Sequence, residues 1–365
     1  QDKLPIWSLW NGETNCMPGY SSVPVIADAY LKGFTGFNAE EAFEAMKATA
    51  TNQNQSGVPY VMKDGFIPAD KVGESVSKAM EYAVDDWGIA AMALRMGKTA
   101  DAGVFAKRAG YYKNYFNSSI DFMCPRLSDG SWKTPYHPAT AGVRDFTEGN
   151  GWQYTFFAPQ DPYGLIKLFG GDKPFTKKLN QLFSNHDSMG PKAQSDITGL
   201  IGQYAHGNEP SHHIAYLYAY AGEQWKTAEK VRYVMDNFYT DQPDGVIGNE
   251  DCGQMSAWYV LSAMGLYQVN PSDGVFVFGS PVLSRAEVKV RGGRTFTMEA
   301  VGNSTENKYI EKAYLNGKPY SKSYITYDDI IKGSTLKFVM GKKPNKNFGK
   351  SRSSRPVVLS RIGNN

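Results

Sequence analysis

Three stretches of the sequence mix carboxylates with Gly, Asn, His and Trp: DFTEGNGWQYTFFAPQD at 145–161, GQYAHGNEPSHH at 202–213 and PDGVIGNEDCGQMSAWY at 243–259. Glu148 sits near Trp152, Phe146, Tyr154 and Phe156. A carboxyl group among aromatics loses hydration, its pKa rises, and it can remain a proton donor near neutral pH. The structural alternative is a capping contact at a helix N-terminus. Asp251 has Glu250 beside it and Asp244 upstream, in a Gly-flanked polar loop where a carboxylate can stay ionised and take a proton from water. Alternatively it caps the helix that begins near Gln254. HGNEPSHH places Asn208, Glu209, His212 and His213 together. The oxygen donors of Asn208 and Glu209 suit calcium better than zinc, although a Pro followed by Ser-His-His is also an ordinary helix start. Adjacent histidines cannot share one helical face, so His212 and His213 serve different purposes.

Residues of this kind need a scaffold, and the first two thirds of the chain read as helices. In ADKVGESVSKAMEYAVDDWGIAAMALRMG, Val72, Val76, Met80, Ala83, Val84, Trp87, Ala90, Ala91 and Leu94 recur at three and four residues, which predicts one long buried helix ending near Gly97. Shorter patterns predict helices at about 22–33, 38–50, 101–119, 161–169, 174–184, 211–221, 223–237 and 254–266. Each chemistry-bearing loop precedes a helix, and polar clusters at equivalent positions of successive helix pairs point to one shared site. From about residue 270 the pattern changes: VFVFG, AEVKVRGG, RTFTMEAVG and STLKFVM alternate β-branched and aromatic residues between turn signals, which predicts strands. The tail GKKPNKNFGKSRSSRPVV is basic and poor in apolar residues, and is expected to be exposed or mobile.

The composition limits the function classes. Of 365 residues, 41% are apolar and 21% charged, with 39 basic against 36 acidic side chains and a net charge of +3. That excludes extended disorder and gives no basic footprint for nucleic acid. No apolar run is long enough to span a membrane. The start QDKLPIWSLW lacks the plan of a signal peptide, as expected of a mature chain or a fragment. Cys16, Cys124 and Cys252 allow at most one bridge and no zinc knuckle. Aromatics reach 13%, which suits both a large core and a surface that stacks on sugar rings. Asn54, Asn117 and Asn303 lie in N-x-[ST] sequons, a frequent chance pattern.

The sequence holds no GxSxG elbow, Walker loop, HExxH or strand-borne GxGxxG. Two carboxylate loops with aromatics on a helical scaffold fit glycoside hydrolysis best. ETNCMPGYSSVPVIADAYLKG, SVSKAMEYAVDDW, DFTEGNGWQYTFF, DITGLIGQYAHGNEPSHHIAYLY and GNEDCGQMSAWYVLSAMGLYQVNP, in this order from Glu13 to about Pro281, closely resemble the glycoside hydrolase family 92 α-mannosidases.

The resemblance implies a mainly α fold. An (α/α)6 barrel, incomplete in this chain, would occupy residues 1–269 as the catalytic portion, followed by a small β-rich region at 270–365 that packs with an N-terminal β-sandwich. It implies an exo-acting, calcium-dependent, inverting α-mannosidase that removes terminal α-linked mannose from glycans outside the cytoplasm. By position in the motifs, Glu148 would be the general acid and Asp251 the general base. Asn208 and Glu209 would hold part of the calcium shell, and Trp152, His212, His213 and Glu250 would contact substrate. Two positions depart from the pattern: Ser22 and Gln160 stand where relatives commonly show His. The sandwich and a WDTFR-like sugar-binding segment have no counterpart here, so the chain is expected to be the C-terminal part of a longer or divided enzyme, needing the other part for activity. The alternatives are another (α/α)-barrel glycosidase and a non-catalytic carbohydrate-binding fragment.

Overall fold

The computed structural model describes residues 3–142 and 144–358. Helices α1 (Ser22–Leu31), α2 (Ala39–Ala50), α3 (Val58–Asp64), α4 (Ser75–Arg95) and α5 (Thr99–Ala109) come first. They are followed by α6 (Gly151–Thr155), α7 (Pro162–Leu168), α8 (Asp172–Leu182), α9 (Leu217–Tyr220), α10 (Gln224–Phe238) and α11 (Gln254–Ala263). Short hairpins punctuate them: β1 (Ser8–Leu9) with β2 (Gly12–Glu13), β3 (Phe116–Asn117) with β4 (Phe122–Met123), and β5 (Leu200–Ile201) with β6 (Tyr204–Ala205). The chain is a helical barrel portion followed by a β region.

The long buried helix forms as the periodicity dictates. Val76, Met80, Ala83, Trp87, Ala90 and Ala91 are all buried, and α4 packs against α1, α2 and α5. Two expected helices are interrupted. The stretch 101–119 stops at Ala109 and continues as a 3-10 turn, Tyr111–Tyr115, into β3. The stretch 211–221 breaks into 3-10 turns at Glu209–Ser211 and Ile214–Tyr216 before α9. Residues 214–221 are buried throughout, so no apolar stripe exists there to impose a helical period.

The β region holds β7 (Leu266–Gln268), β8 (Val275–Phe278), β9 (Arg285–Val290), β10 (Arg294–Val301), β11 (Tyr309–Leu315), β12 (Lys318–Tyr320), β13 (Tyr324–Thr326), helix α12 (Tyr327–Ile331) and β14 (Thr335–Gly341). One sheet has the order β12-β11-β14-β10-β9, with β10 and β14 parallel, and the second has the order β13-β8-β7. Alternation in β10 and β14 sends Phe296, Met298, Ala300, Leu336, Phe338 and Met340 inward, where they meet Phe276 and Phe278.

The tail departs from expectation. Phe348 joins the core of the β region, and Ser354, Arg355 and Pro356 are buried. Arg355 spans to the barrel, with Nη1 on Asp172 Oδ2 at 2.8 Å and on the Tyr220 carbonyl at 3.3 Å, while Tyr163 donates to the Pro356 carbonyl at 2.8 Å. A basic composition does not expose a segment whose cation finds several acceptors. Residues 359–365 of the expected β-rich region lie outside the described ones. All three cysteines are free thiols.

Inside the barrel, Arg108 Nε pairs with Asp86 Oδ2 at 2.8 Å, Arg108 Nη2 donates to the Ala50 carbonyl at 2.9 Å, and the Tyr20 hydroxyl donates to Asp86 Oδ1 at 2.7 Å. Asp86 and Arg108 are almost wholly buried, so either one alone would be an uncompensated charge. Asp86→Ala is therefore expected to lower the unfolding free energy by about 3–5 kcal/mol, read from urea denaturation. A loss under about 1 kcal/mol would show that water reaches Arg108.

Candidate active site

The loop from Arg144 to Asn150 leads into α6. Asn150 caps that helix: its side chain accepts from Trp152 N at 2.9 Å, and Gln153 Oε1 accepts from Asn150 N at 2.7 Å. Glu148 is thus not the cap. It adopts φ 46°, a left-handed conformation that a non-glycine residue takes only when its surroundings enforce it. Asn208 Nδ2 donates to the Glu148 carbonyl at 2.9 Å and to its Oε2 at 3.3 Å. Burial, with Asp196 and Asp251 nearby, raises the Glu148 carboxyl above the usual range, against the lowering effect of Asn208. This is the environment of a carboxylic acid that keeps its proton.

Asp251 is likewise left-handed, at φ 47°, and Cys252 follows at φ 58°. The residue before α11 is Gly253, which has no side chain to cap that helix terminus, and Asp251 makes no side-chain bond to its first turn. Asp251 is therefore free of the capping role and lies near Glu209, whose carboxyl burial and the charges of Asp251 and Glu148 push up to about 7. Glu250, by contrast, is held structurally: its carboxylate accepts from Ser256 N at 3.1 Å and Ser256 Oγ at 2.9 Å, over the first turn of α11.

Three loops distant in sequence thus converge, at Glu148, at Asn208 with Glu209, and at Asp251. The other residues singled out from sequence have different surroundings. Trp152 is buried edge-on against Phe122 at 4.7 Å, with the Lys178 ammonium 5.0 Å from its ring, so its contacts are those of the core. His212 donates from Nε2 to the His206 carbonyl at 3.0 Å and accepts on Nδ1 from Gln254 at 3.1 Å. His213 donates from Nε2 to the Phe156 carbonyl at 2.8 Å. Burial lowers both imidazoles to about 4, so both are neutral near pH 7. Gln160 is buried and donates to the Ala109 carbonyl at 3.2 Å, while the Ser22 hydroxyl bonds the Pro5 carbonyl.

Sequence reasoning missed the contribution of α4. Ser77, Glu81 and Asp85 recur along it at helical spacing, with Glu74 at its N-cap in register, a polar face on a largely buried helix. Glu74 influences Glu148, and Glu81 is raised well above the carboxylate range by burial and by Asp85 and Glu209. The signal lay within the motif SVSKAMEYAVDDW, where charges at three- and four-residue spacing interrupt a buried helix.

The chemistry of these donors suits a divalent cation in one respect. The charged groups that shift Glu148, Glu209 and Glu81 are all carboxyls, so oxygen donors gather there. Among the described residues no three His, Cys, Asp or Glu side chains converge closely enough to hold a metal, so Asn208 and Glu209 are two donors and not a cage.

Comparison with known proteins places the chain's family and fold. The family model for the glycosyl hydrolase family 92 catalytic domain matches residues 1–342. A family 92 α-mannosidase from Bacteroides thetaiotaomicron, solved in complex with mannoimidazole, superposes with a TM-score of 0.94 at 43% identity over 98% of this chain and 48% of its own. A family 92 inverting mannosidase from the same organism gives 0.87 at 34% identity over 96% and 49%. An uncharacterized secreted glycosidase of Arthroderma benhamiae is 28% identical over 96% of this chain and 48% of its own length. The chain spans about half the length of the relatives it matches.

Proposed function

Because the chain belongs to glycosyl hydrolase family 92, we propose that it carries the acid and base of an exo-acting, inverting α-mannosidase that releases terminal α-linked mannose from glycans. The observation that carries this reading is the convergence of Glu148, Glu209 and Asp251 from three loops, with the pKa of the Glu148 carboxyl raised by burial. The mannosidases among its structural neighbours, one of them described as inverting, support the sugar and the stereochemistry.

Glu148 delivers its proton to the departing glycosidic oxygen, and Asp251 takes a proton from the water that attacks the opposite face of the ring. An inverting pair stands about 6.5–9.5 Å apart to admit that water. Asn208 holds the acid through its backbone and its carboxyl, and Glu209 lies against the base. Calcium, if held by Asn208 and Glu209, would supply Lewis-acid polarisation of substrate hydroxyls. His212 and His213 are neutral and brace the backbone at His206 and Phe156. Trp152 supports its wall through Phe122.

The reading is tested by proton NMR of the first-formed product from an aryl α-mannoside, where β-mannose is expected. Retained configuration, or turnover of another sugar in preference, points to a different barrel glycosidase. The half-length match to relatives favours a further segment that completes the sugar pocket, and also one alternative, a non-catalytic sugar-binding fragment. Binding of mannoimidazole without turnover would identify that fragment. An extracytoplasmic setting is supported by the secreted fungal relative, and no described helix is long and apolar enough to cross a membrane.

The metal assignment makes its own prediction. Glu209→Ala is expected to weaken calcium binding, measured by isothermal titration, and mannose binding together, by roughly 10-fold or more each. Calcium affinity unchanged by the substitution removes Glu209 from the ligand set.

A further inference from the structure

Thr147, next to Glu148, has each of its polar groups taken by a different side chain. Its N–H donates to Ser77 Oγ at 2.8 Å, its carbonyl accepts from the Tyr154 hydroxyl at 3.0 Å, and its own hydroxyl donates to Glu74 Oε1 at 2.9 Å. Ser77, Thr147 and Tyr154 are all buried, away from competing water. On the other side of the acid, the Glu148 carbonyl is held by Asn208. Gly149 then passes so close to the Tyr154 ring that a Cβ there would lie 2.9 Å from Cε2.

We propose that the Ser77–Thr147–Tyr154 clasp is the positioning device of the general acid, with Ser77 of α4 as its anchor. The inference rests on the mannosidase reading above and deepens it. Ser77 stands in the first turn of α4, and its hydroxyl oxygen accepts from the acid loop. Glu148 cannot relax from φ 46° while Thr147 is fixed through both ends of its peptide and through its side chain. The carboxyl is thereby aimed before substrate arrives, and a shift of about 1 Å in such a group costs on the order of 100-fold in rate.

The test compares Ser77→Ala, Tyr154→Phe and Thr147→Val with wild type on two substrates, a mannobioside and a dinitrophenyl α-mannoside. Positioning of a proton donor matters for the poor leaving group and little for the activated one. We expect kcat/KM to fall about 10- to 100-fold on the mannobioside and less than about 3-fold on the aryl mannoside. Thr147→Ser, which keeps the hydroxyl for Glu74, should restore the mannobioside rate. Equal losses on both substrates, or no loss, overturn the proposal. Amide hydrogen exchange over 147–149 provides a readout independent of turnover. It should accelerate in Ser77→Ala, and an unchanged rate there also overturns the clasp. A wild-type chain with no α-mannoside turnover would instead count against the mannosidase reading, with the exchange result still deciding whether the clasp exists.

Discussion

Asp251→Asn is expected to remove turnover of α-mannosides whatever the leaving group, by roughly 1,000-fold or more in kcat. The reason lies in the role assigned to the carboxylate. It activates the attacking water, and every substrate needs that water, including an aryl mannoside whose leaving group departs unaided. Asn keeps the size and one hydrogen-bond acceptor but cannot receive the proton. The left-handed backbone at 251 also tolerates Asn better than most residues, so the fold should survive the change. Binding of mannoimidazole should stay within a few-fold of wild type, which separates lost chemistry from a lost pocket. Near-normal hydrolysis of a dinitrophenyl mannoside by Asp251→Asn would transfer the base role to another carboxyl.

Glu148→Gln has the complementary signature. On a mannobioside kcat should fall by about 100- to 10,000-fold, because the departing sugar oxygen needs a proton. On a dinitrophenyl mannoside the fall should be much smaller, since that leaving group departs as a stable anion. The pH profile gives a second measure. The acid works only while protonated, and burial raises the Glu148 pKa, so wild-type activity should decline as pH rises through that raised value. In Glu148→Gln this alkaline decline should vanish on the aryl substrate. If it persists, or if the loss is the same on both substrates, Glu148 is not the proton donor. Together the two variants form a pair of opposite leaving-group dependences that no general weakening of the fold would reproduce.

Much of this arrangement was legible in the sequence. The apolar recurrence from Val76 to Leu94 read correctly as a buried helix, and the turn-punctuated runs after residue 270 read correctly as strands, because both patterns follow directly from side-chain period. The three polar loops were visible because packed helices have no need of such residues in their connections. What escaped notice depended on tertiary partners. The approach of Asp251 to Glu209 joins loops more than forty positions apart, and Ser77 meets Thr147 across 70 positions. Neither has a local signature. The break at 209–216 was hidden because a segment buried on every side gives no amphipathic stripe. The tail misled through composition, which counts Arg355 as a charge and cannot show the carboxylate and carbonyls that neutralise it.

That tail bears on how the protein is made. Arg355 and Pro356 fasten groups at Asp172, Tyr220 and Tyr163, which precede them by 183, 135 and 193 positions. A ribosome adding roughly 5–20 residues per second delivers the helical portion on the order of 10 seconds before its fastener. During that interval the start of α8 and the carbonyl of Tyr220 lack their guanidinium partner, and the surface that Phe348 will cover stays open. The nascent helices must therefore wait unlatched until the segment from Phe348 to Pro356 has been made.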